Sequence, residues 1–93
     1  MSRHFDMIGF LAGVLTGSQT TGQRHLRHAK VMQKKIAERW QRETLWVWQK
    51  KYAAWFLQFY LCHHTYFTRY YYLLTAYLIA RRLEESWIFS IGL

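Results

Sequence analysis

The N-terminal part of the chain contains the apolar run Phe5-Asp-Met-Ile-Gly-Phe-Leu-Ala-Gly-Val-Leu-Thr-Gly17, in which glycine recurs at every fourth position. On an α-helix this spacing places Gly9, Gly13 and Gly17 on one face, where they form a groove that a second helix can approach closely. Glycine within a helix costs roughly 1 kcal/mol relative to alanine, and close packing of a partner offsets that cost. The run therefore predicts a helix-packing surface in a membrane. The alternative is a flexible N-terminal segment whose glycines have this spacing by chance.

The same run defines a predicted membrane anchor. The apolar stretch from Phe5 to Thr16 contains Asp6 and is shorter than the roughly 20 residues that a bilayer core requires of a helix. Extension through Thr21 gives about 17 residues, the lower limit for a span. No small-residue cleavage site of the secretory type follows the apolar run. We therefore predict an uncleaved transmembrane anchor within residues 1–22.

Size and composition indicate a small protein that depends on a larger assembly. The chain has 93 residues, and five Trp, seven Tyr and six Phe make 19% of it aromatic. A chain of this length is not expected to bury so many large rings by itself, so their surface should meet lipid or other subunits. Thirteen basic and five acidic side chains give a net charge of +8. This charge favours anionic partners: phospholipid headgroups, acidic proteins or nucleic acid.

Residues 23–51 are predicted to form a basic amphipathic helix. Between residues 24 and 51, nine Lys and Arg accompany two Glu, a local charge of +7. Apolar or small residues recur there at intervals of three or four: Ala29, Met32, Ile36, Trp40, Thr44 and Val47. This periodicity is typical of a helix with one buried face. Several Lys or Arg residues lie four positions from a Glu, and such pairs are typical of a solvated helix face. Much of the basic run is explained in this way.

Residues 52–93 form an aromatic-rich segment that is expected to lie at a membrane boundary or to pack against other subunits. The chain has no proline, and Gly92 is the only glycine after residue 22, so one or two long helices are predicted. The polar break His63-His64-Thr65 is either a loop between antiparallel helices or a polar point on one long helix. The predicted fold is all-α, with a short N-terminal transmembrane helix, one or two long amphipathic or aromatic helices, and no independent globular core.

The titratable residues do not suggest a catalytic or metal-binding set. Asp6 is far in sequence from Glu84 and Glu85, so no pair of carboxylates is expected to converge. His25 and His28 are three residues apart, but no nearby Cys, Asp or Glu completes a metal site. The sequence predicts a protein that is not an enzyme, with no small-molecule substrate, no metal and no cofactor apart from bound cardiolipin or another anionic lipid.

Basic and tryptophan side chains are candidates for contact with lipid headgroups or with a partner. Tryptophan suits the headgroup region because its ring is apolar and its edge polar. The candidates are Lys34, Lys35, Arg39, Trp40, Arg42, Trp46, Trp48 and Trp55. A basic helical protein with interleaved aromatic residues could instead hold phosphates and stack bases, so nucleic-acid binding is an alternative. The glycine run disfavours it, because a nucleic-acid-binding protein has no obvious use for such a surface.

The order of these parts resembles subunit e of the mitochondrial ATP synthase over roughly residues 5–51. The matching element is Gly9-x3-Gly13, continued to Gly17, just before a long charged helix. The resemblance implies that these glycines contact subunit g in the membrane part of the synthase, where the pair supports dimerisation and curvature of the inner membrane at cristae. It also implies location in the mitochondrial inner membrane. The alternatives are another energy-transducing or bacterial membrane, and a small subunit of another respiratory or translocation complex.

Overall fold

The computed structural model describes residues 6–15, 19–41 and 45–89 of the chain. These residues form helices and turns and contain no β-strand. The elements in chain order are α1 (Met7–Leu11), α2 (Gln19–Trp40), a 3₁₀ turn (Leu45–Val47), α3 (Lys50–Trp55), a π-helical segment (Phe56–Tyr60) and α4 (Tyr66–Arg82). The prediction of an all-α protein is confirmed.

The first helix, α1, is much shorter than the predicted anchor. Asp6 caps it, and the carboxylate accepts a hydrogen bond of 3.0 Å from the backbone N–H of Gly9. The helix ends at Leu11, and Gly13 lies in the turn that follows. Glycine weakens helix continuation, and α1 buries Met7, Phe10 and Leu11 in the protein core instead of lipid. Gly17 lies outside the described residues.

The N-terminal segment, residues 1–22, was predicted to contain a transmembrane helix. Within residues 6–15, 19–41 and 45–89, no helix combines the length and the hydropathy needed to cross a membrane.

The second helix, α2, contains the predicted amphipathic pattern but not the predicted end. Ala29, Met32 and Ile36 are completely buried. The helix ends at Trp40, not at Lys51, because Gln41 adopts the left-handed conformation with φ 58°. Val47, expected on the same apolar face, lies in the 3₁₀ turn and is 53% exposed; Thr44 lies outside the described residues.

A hydrophobic core forms where α1, α3 and the π-helical segment pack around α2 and α4. Its largest fully buried side chains include Tyr52 and Phe56. The radius of gyration is 12.6 Å, close to the value of about 12 Å expected for a compact domain of this length. The prediction that the chain has no globular core of its own is therefore wrong. The long helices α2 and α4 pack against each other, and the shorter elements fold back onto them, so the chain encloses a core.

The polar break between the two aromatic blocks is a loop. The π-helical segment closes with a hydrogen bond of 3.1 Å from the N–H of Leu61 to the carbonyl of Phe56. The chain then turns, and Thr65 caps α4 by accepting a hydrogen bond of 3.3 Å from the N–H of Thr68. α4 returns antiparallel to α2, since Tyr72 contacts His28 and Thr75 contacts the earlier residue His25.

Candidate functional site

One side of α4 consists of aromatic and apolar side chains that are exposed or partly exposed. Phe67, Tyr70, Leu74 and Tyr77 follow one another at intervals of three or four residues and so share one side of the helix. Phe67 is 69% exposed, and Tyr70 and Tyr77 are 39% and 38% exposed. We call these four residues the α4 face. The opposite side of the helix packs into the core with Thr75, Ala76, Ile79 and Ala80.

Further exposed rings flank the loop before α4. Phe59 and Tyr66 are 66% and 55% exposed. The ring of Tyr66 stacks on Tyr70 with a centroid distance of 6.2 Å and an interplanar angle of 6°, and it meets Phe67 edge-on at 5.7 Å. We call Phe59, Tyr60, Tyr66 and Phe67 the aromatic tip. The stacking of Tyr66 on Tyr70 joins the tip to the α4 face.

Two basic side chains of α2 lie against aromatic rings. The guanidinium carbon of Arg24 lies 4.7 Å from the ring centroid of Tyr71, and Lys35 Nζ lies 5.6 Å from that of Tyr60. At these distances a cation is attracted to the face of an aromatic ring. Lys35 Nζ also lies 3.6 Å from a carboxylate oxygen of Glu38. Lys35 therefore places positive charge beside the aromatic tip, whereas Arg24 lies over the partly buried ring of Tyr71.

Two histidines lie where α2 packs against α4. His25 Nδ1 is 2.8 Å from the hydroxyl of Thr75, and this hydroxyl donates a hydrogen bond of 3.2 Å to the carbonyl of Tyr71. Because a hydroxyl has one proton to donate and this one is directed at the Tyr71 carbonyl, we assign the donor proton of the contact with Thr75 to His25 Nδ1. Burial, with a smaller contribution from Arg24, lowers the pKa of His25.

The second of these histidines, His28, stacks on the ring of Tyr72 with a centroid distance of 4.1 Å. Burial, followed by the charges of Arg27, His25 and Arg24, lowers the pKa of His28 to about 4. Both histidines are therefore neutral at pH 7 and take part in helix packing. In the part of the chain that the structure describes, no group of three His, Cys, Asp or Glu side chains is placed to hold a metal ion.

The predicted tryptophans are not on one surface. Trp48 is 5% exposed, and Trp40 packs against the core, where its ring lies 4.9 Å from Tyr52 and 5.1 Å from Trp55. Trp46 is 55% exposed. Its ring lies 4.7 Å from Phe10 and 4.6 Å from the guanidinium carbon of Arg82. Three of the four predicted tryptophans thus serve mainly in packing.

The predicted basic residues and glycines are also dispersed. Lys34 is exposed on the outer side of α2, Lys35 lies beside the aromatic tip, and Arg39 lies over the ring of Trp40 at 5.1 Å. Arg42 is outside the described residues. A Cβ atom on Gly9 would meet the Asp6 carboxylate, whereas one on Gly13 would have no atom within 4 Å.

Residues 52–93 were predicted to lie at a membrane boundary or to pack against other subunits, but the four residues of the α4 face were not singled out. Their spacing is present in the sequence, but residues 66–80 contain apolar or aromatic side chains at most positions, so no polar side marks the exposed direction. A helix that is apolar on all sides indicates burial in a larger structure or contact with lipid. This was the signal in the sequence that could have identified the exposed side of α4.

Comparison with known proteins found no matching family model, no matching curated protein and no matching solved structure. The resemblance to ATP synthase subunit e therefore stays a prediction, and function is inferred from the residues themselves.

Proposed function

We propose that this protein is a non-catalytic protein that binds the surface of anionic membranes through the α4 face and the aromatic tip. The observation that carries the proposal is the exposure of Phe67, Tyr70 and Tyr77 along one side of a helix whose other side is in the core. The outer side of a helix on a water-soluble domain is normally polar. A contiguous exposed apolar surface is typical of an interaction site, and tyrosine is favoured at the boundary between lipid and water.

Charge favours an anionic lipid surface as the partner. The chain carries a net charge of +8, and each Lys or Arg close to an anionic membrane contributes about 1 kcal/mol of attraction. Lys35 lies beside the exposed ring of Tyr60, where it can reach headgroups while the rings enter the interface. Nucleic acid is less well supported, because the α4 face includes Leu74, which cannot stack on a base, and contains no cation.

The proposal includes the role of an accessory subunit in a membrane complex, by resemblance the membrane part of the mitochondrial ATP synthase in the inner membrane. Subunit g would then contact the glycine run. The open space around Gly13 supports this contact, because a partner backbone could approach there without meeting a side chain. A transmembrane anchor formed by residues 1–22 in such a complex would require Met7, Phe10 and Leu11 to leave the core.

Co-sedimentation with lipid vesicles tests the membrane-binding proposal. Vesicles of phosphatidylcholine alone are compared with vesicles that also contain phosphatidylglycerol. We expect binding to the anionic vesicles and a loss of at least about tenfold in affinity for Phe67→Gln combined with Tyr70→Gln, because two rings leave the interface. Val47→Gln is the control, since Val47 is also exposed but lies in the 3₁₀ turn. Equal binding by the double variant and wild type would refute the proposal, as would binding to RNA without binding to vesicles.

A further inference from the structure

A groove between α2 and α4 opens beside the α4 face. Its volume is about 380 Å³. Leu74 and Leu78 of α4 supply its apolar lining, and Leu74 belongs also to the α4 face. The polar lining comes from both helices: Thr21, His25, Tyr77 and Arg81. No carboxylate is among these lining residues.

Arg81 is the charged group of this groove. Its side chain is exposed, and no described residue forms an ion pair with it. The adjacent residue Arg82 is in a different situation, because its Nε donates a hydrogen bond of 2.6 Å to the carbonyl of Phe10. Arg82 is therefore engaged within the fold, whereas the Arg81 guanidinium is available for two hydrogen bonds to a phosphate.

His25 supplies a second polar group of defined character. Its side chain is 8% exposed and lines the groove. Because Nδ1 donates to Thr75, Nε2 carries a lone pair and is an acceptor. A ligand in the groove would satisfy this acceptor best with a hydroxyl donor.

We propose that this groove binds one molecule of an anionic phospholipid with a hydroxylated headgroup, such as phosphatidylglycerol. The phosphate pairs with Arg81, a headgroup hydroxyl donates to His25 Nε2, and the start of an acyl chain lies on Leu74 and Leu78. The inference rests on the proposed function, because the groove opens next to the surface that contacts the membrane and a lipid can enter it from the side. Charge complementarity and the apolar lining together select a lipid over a free phosphate.

Calorimetric titration with a short-chain phosphatidylglycerol, kept below its micelle-forming concentration, tests this inference on the full chain. We expect one lipid per chain and an affinity about tenfold lower for Arg81→Gln, because a charge-assisted contact is lost. Arg27→Gln removes the same charge from the outer side of α2, away from the groove, and should bind as wild type does. Short-chain phosphatidylmethanol, which has the same charge but no headgroup hydroxyl, should bind more weakly than phosphatidylglycerol to wild type.

Equal loss in Arg81→Gln and Arg27→Gln would overturn the inference, because net charge alone would then explain binding. Glycerol phosphate that binds as tightly as the short-chain lipid would also overturn it, since the leucines would contribute nothing. If vesicles bind but the monomeric lipid does not, the groove is not a lipid site and the membrane-binding proposal stands. If the monomeric lipid binds and the vesicles do not, the groove is retained and the membrane-binding proposal fails.

Discussion

The two long helices differ in the side chains that they direct outward. α2 buries Ala29, Met32 and Ile36 and exposes basic residues such as Lys30 and Lys34 on its other side. α4 also buries one side but exposes aromatic rings on the other. α2 therefore satisfies the ordinary pattern of a helix on a water-soluble domain, and α4 violates it. Such violations are expected at functional sites, because the side chains there are selected for a partner and not for water.

The largest expected loss of stability distinguishes a buried aromatic side chain from an exposed one. Phe56 is completely buried and Phe67 is 69% exposed. Phe56→Ala should lower the free energy of unfolding by about 4 kcal/mol, because the fold loses both burial and packing. Phe67→Ala should change it by less than about 0.5 kcal/mol. Chemical denaturation of the two variants measures both values, and a comparable loss for Phe67→Ala would show that the α4 face is part of the core.

Acid should weaken the packing of α2 on α4. The pKa of His28 is lowered to about 4 in the folded chain, whereas an unfolded chain has a histidine pKa of about 6.5. Between these two values the unfolded state binds the proton and the folded state does not, so stability falls as the pH falls through this window. We expect a loss of about 1 to 3 kcal/mol, reduced from the full shift because His28 is only partly buried.

Denaturation midpoints measured across the pH window test this expectation. The variant His28→Gln cannot titrate and should show a flatter pH dependence, although His25 still contributes through its lowered pKa. A wild-type stability that stays constant from neutral pH to the acid side of the window would contradict the neutral state of His28.

The sequence predicted α2 better than it predicted α4 for a physical reason. Alternation of apolar and charged residues distinguishes the two sides of α2, and Met32 and Ile36 are buried. In α4 both sides are apolar, so hydropathy does not tell which side faces the core. The small residues Ala76 and Ala80 are buried because they allow close approach to α2 and α1, and that depends on tertiary contacts.

The end of α2 was not predictable from the sequence either. Gln41 ends the helix in a left-handed conformation, for which glutamine has no special preference.

A smaller effect is expected at the hydrogen bonds that join the two helices. Thr75 accepts from His25 and donates to the carbonyl of Tyr71. Thr75→Val keeps the shape but removes both bonds and leaves His25 Nδ1 without its partner, at a cost of about 1 to 2 kcal/mol. Thr20→Val is the control because Thr20 is exposed on α2. Thermal unfolding of both variants measures the difference, and equal melting temperatures would indicate that the buried bonds add no net stability.

The smallest effect on folding is expected at Gly13, where the largest effect on assembly is predicted. A Cβ atom at Gly13 has no atom within 4 Å, and its backbone conformation is one that other residues adopt. Gly13→Leu should therefore change stability by less than about 0.5 kcal/mol. If the glycine run contacts a partner helix, the added side chain separates the two backbones and detaches the protein from its complex.

Native gels of membranes extracted with mild detergent show whether the tagged variant migrates with a complex. Ala12→Leu adds similar bulk at the neighbouring exposed position, which lies off the predicted glycine face, and should remain associated. If Gly13→Leu detaches and Ala12→Leu does not, α1 and the turn after it form a second interaction surface. Small residues would form this surface, whereas aromatic rings form the α4 face. Unchanged migration of Gly13→Leu would leave the α4 face as the surface through which the protein acts.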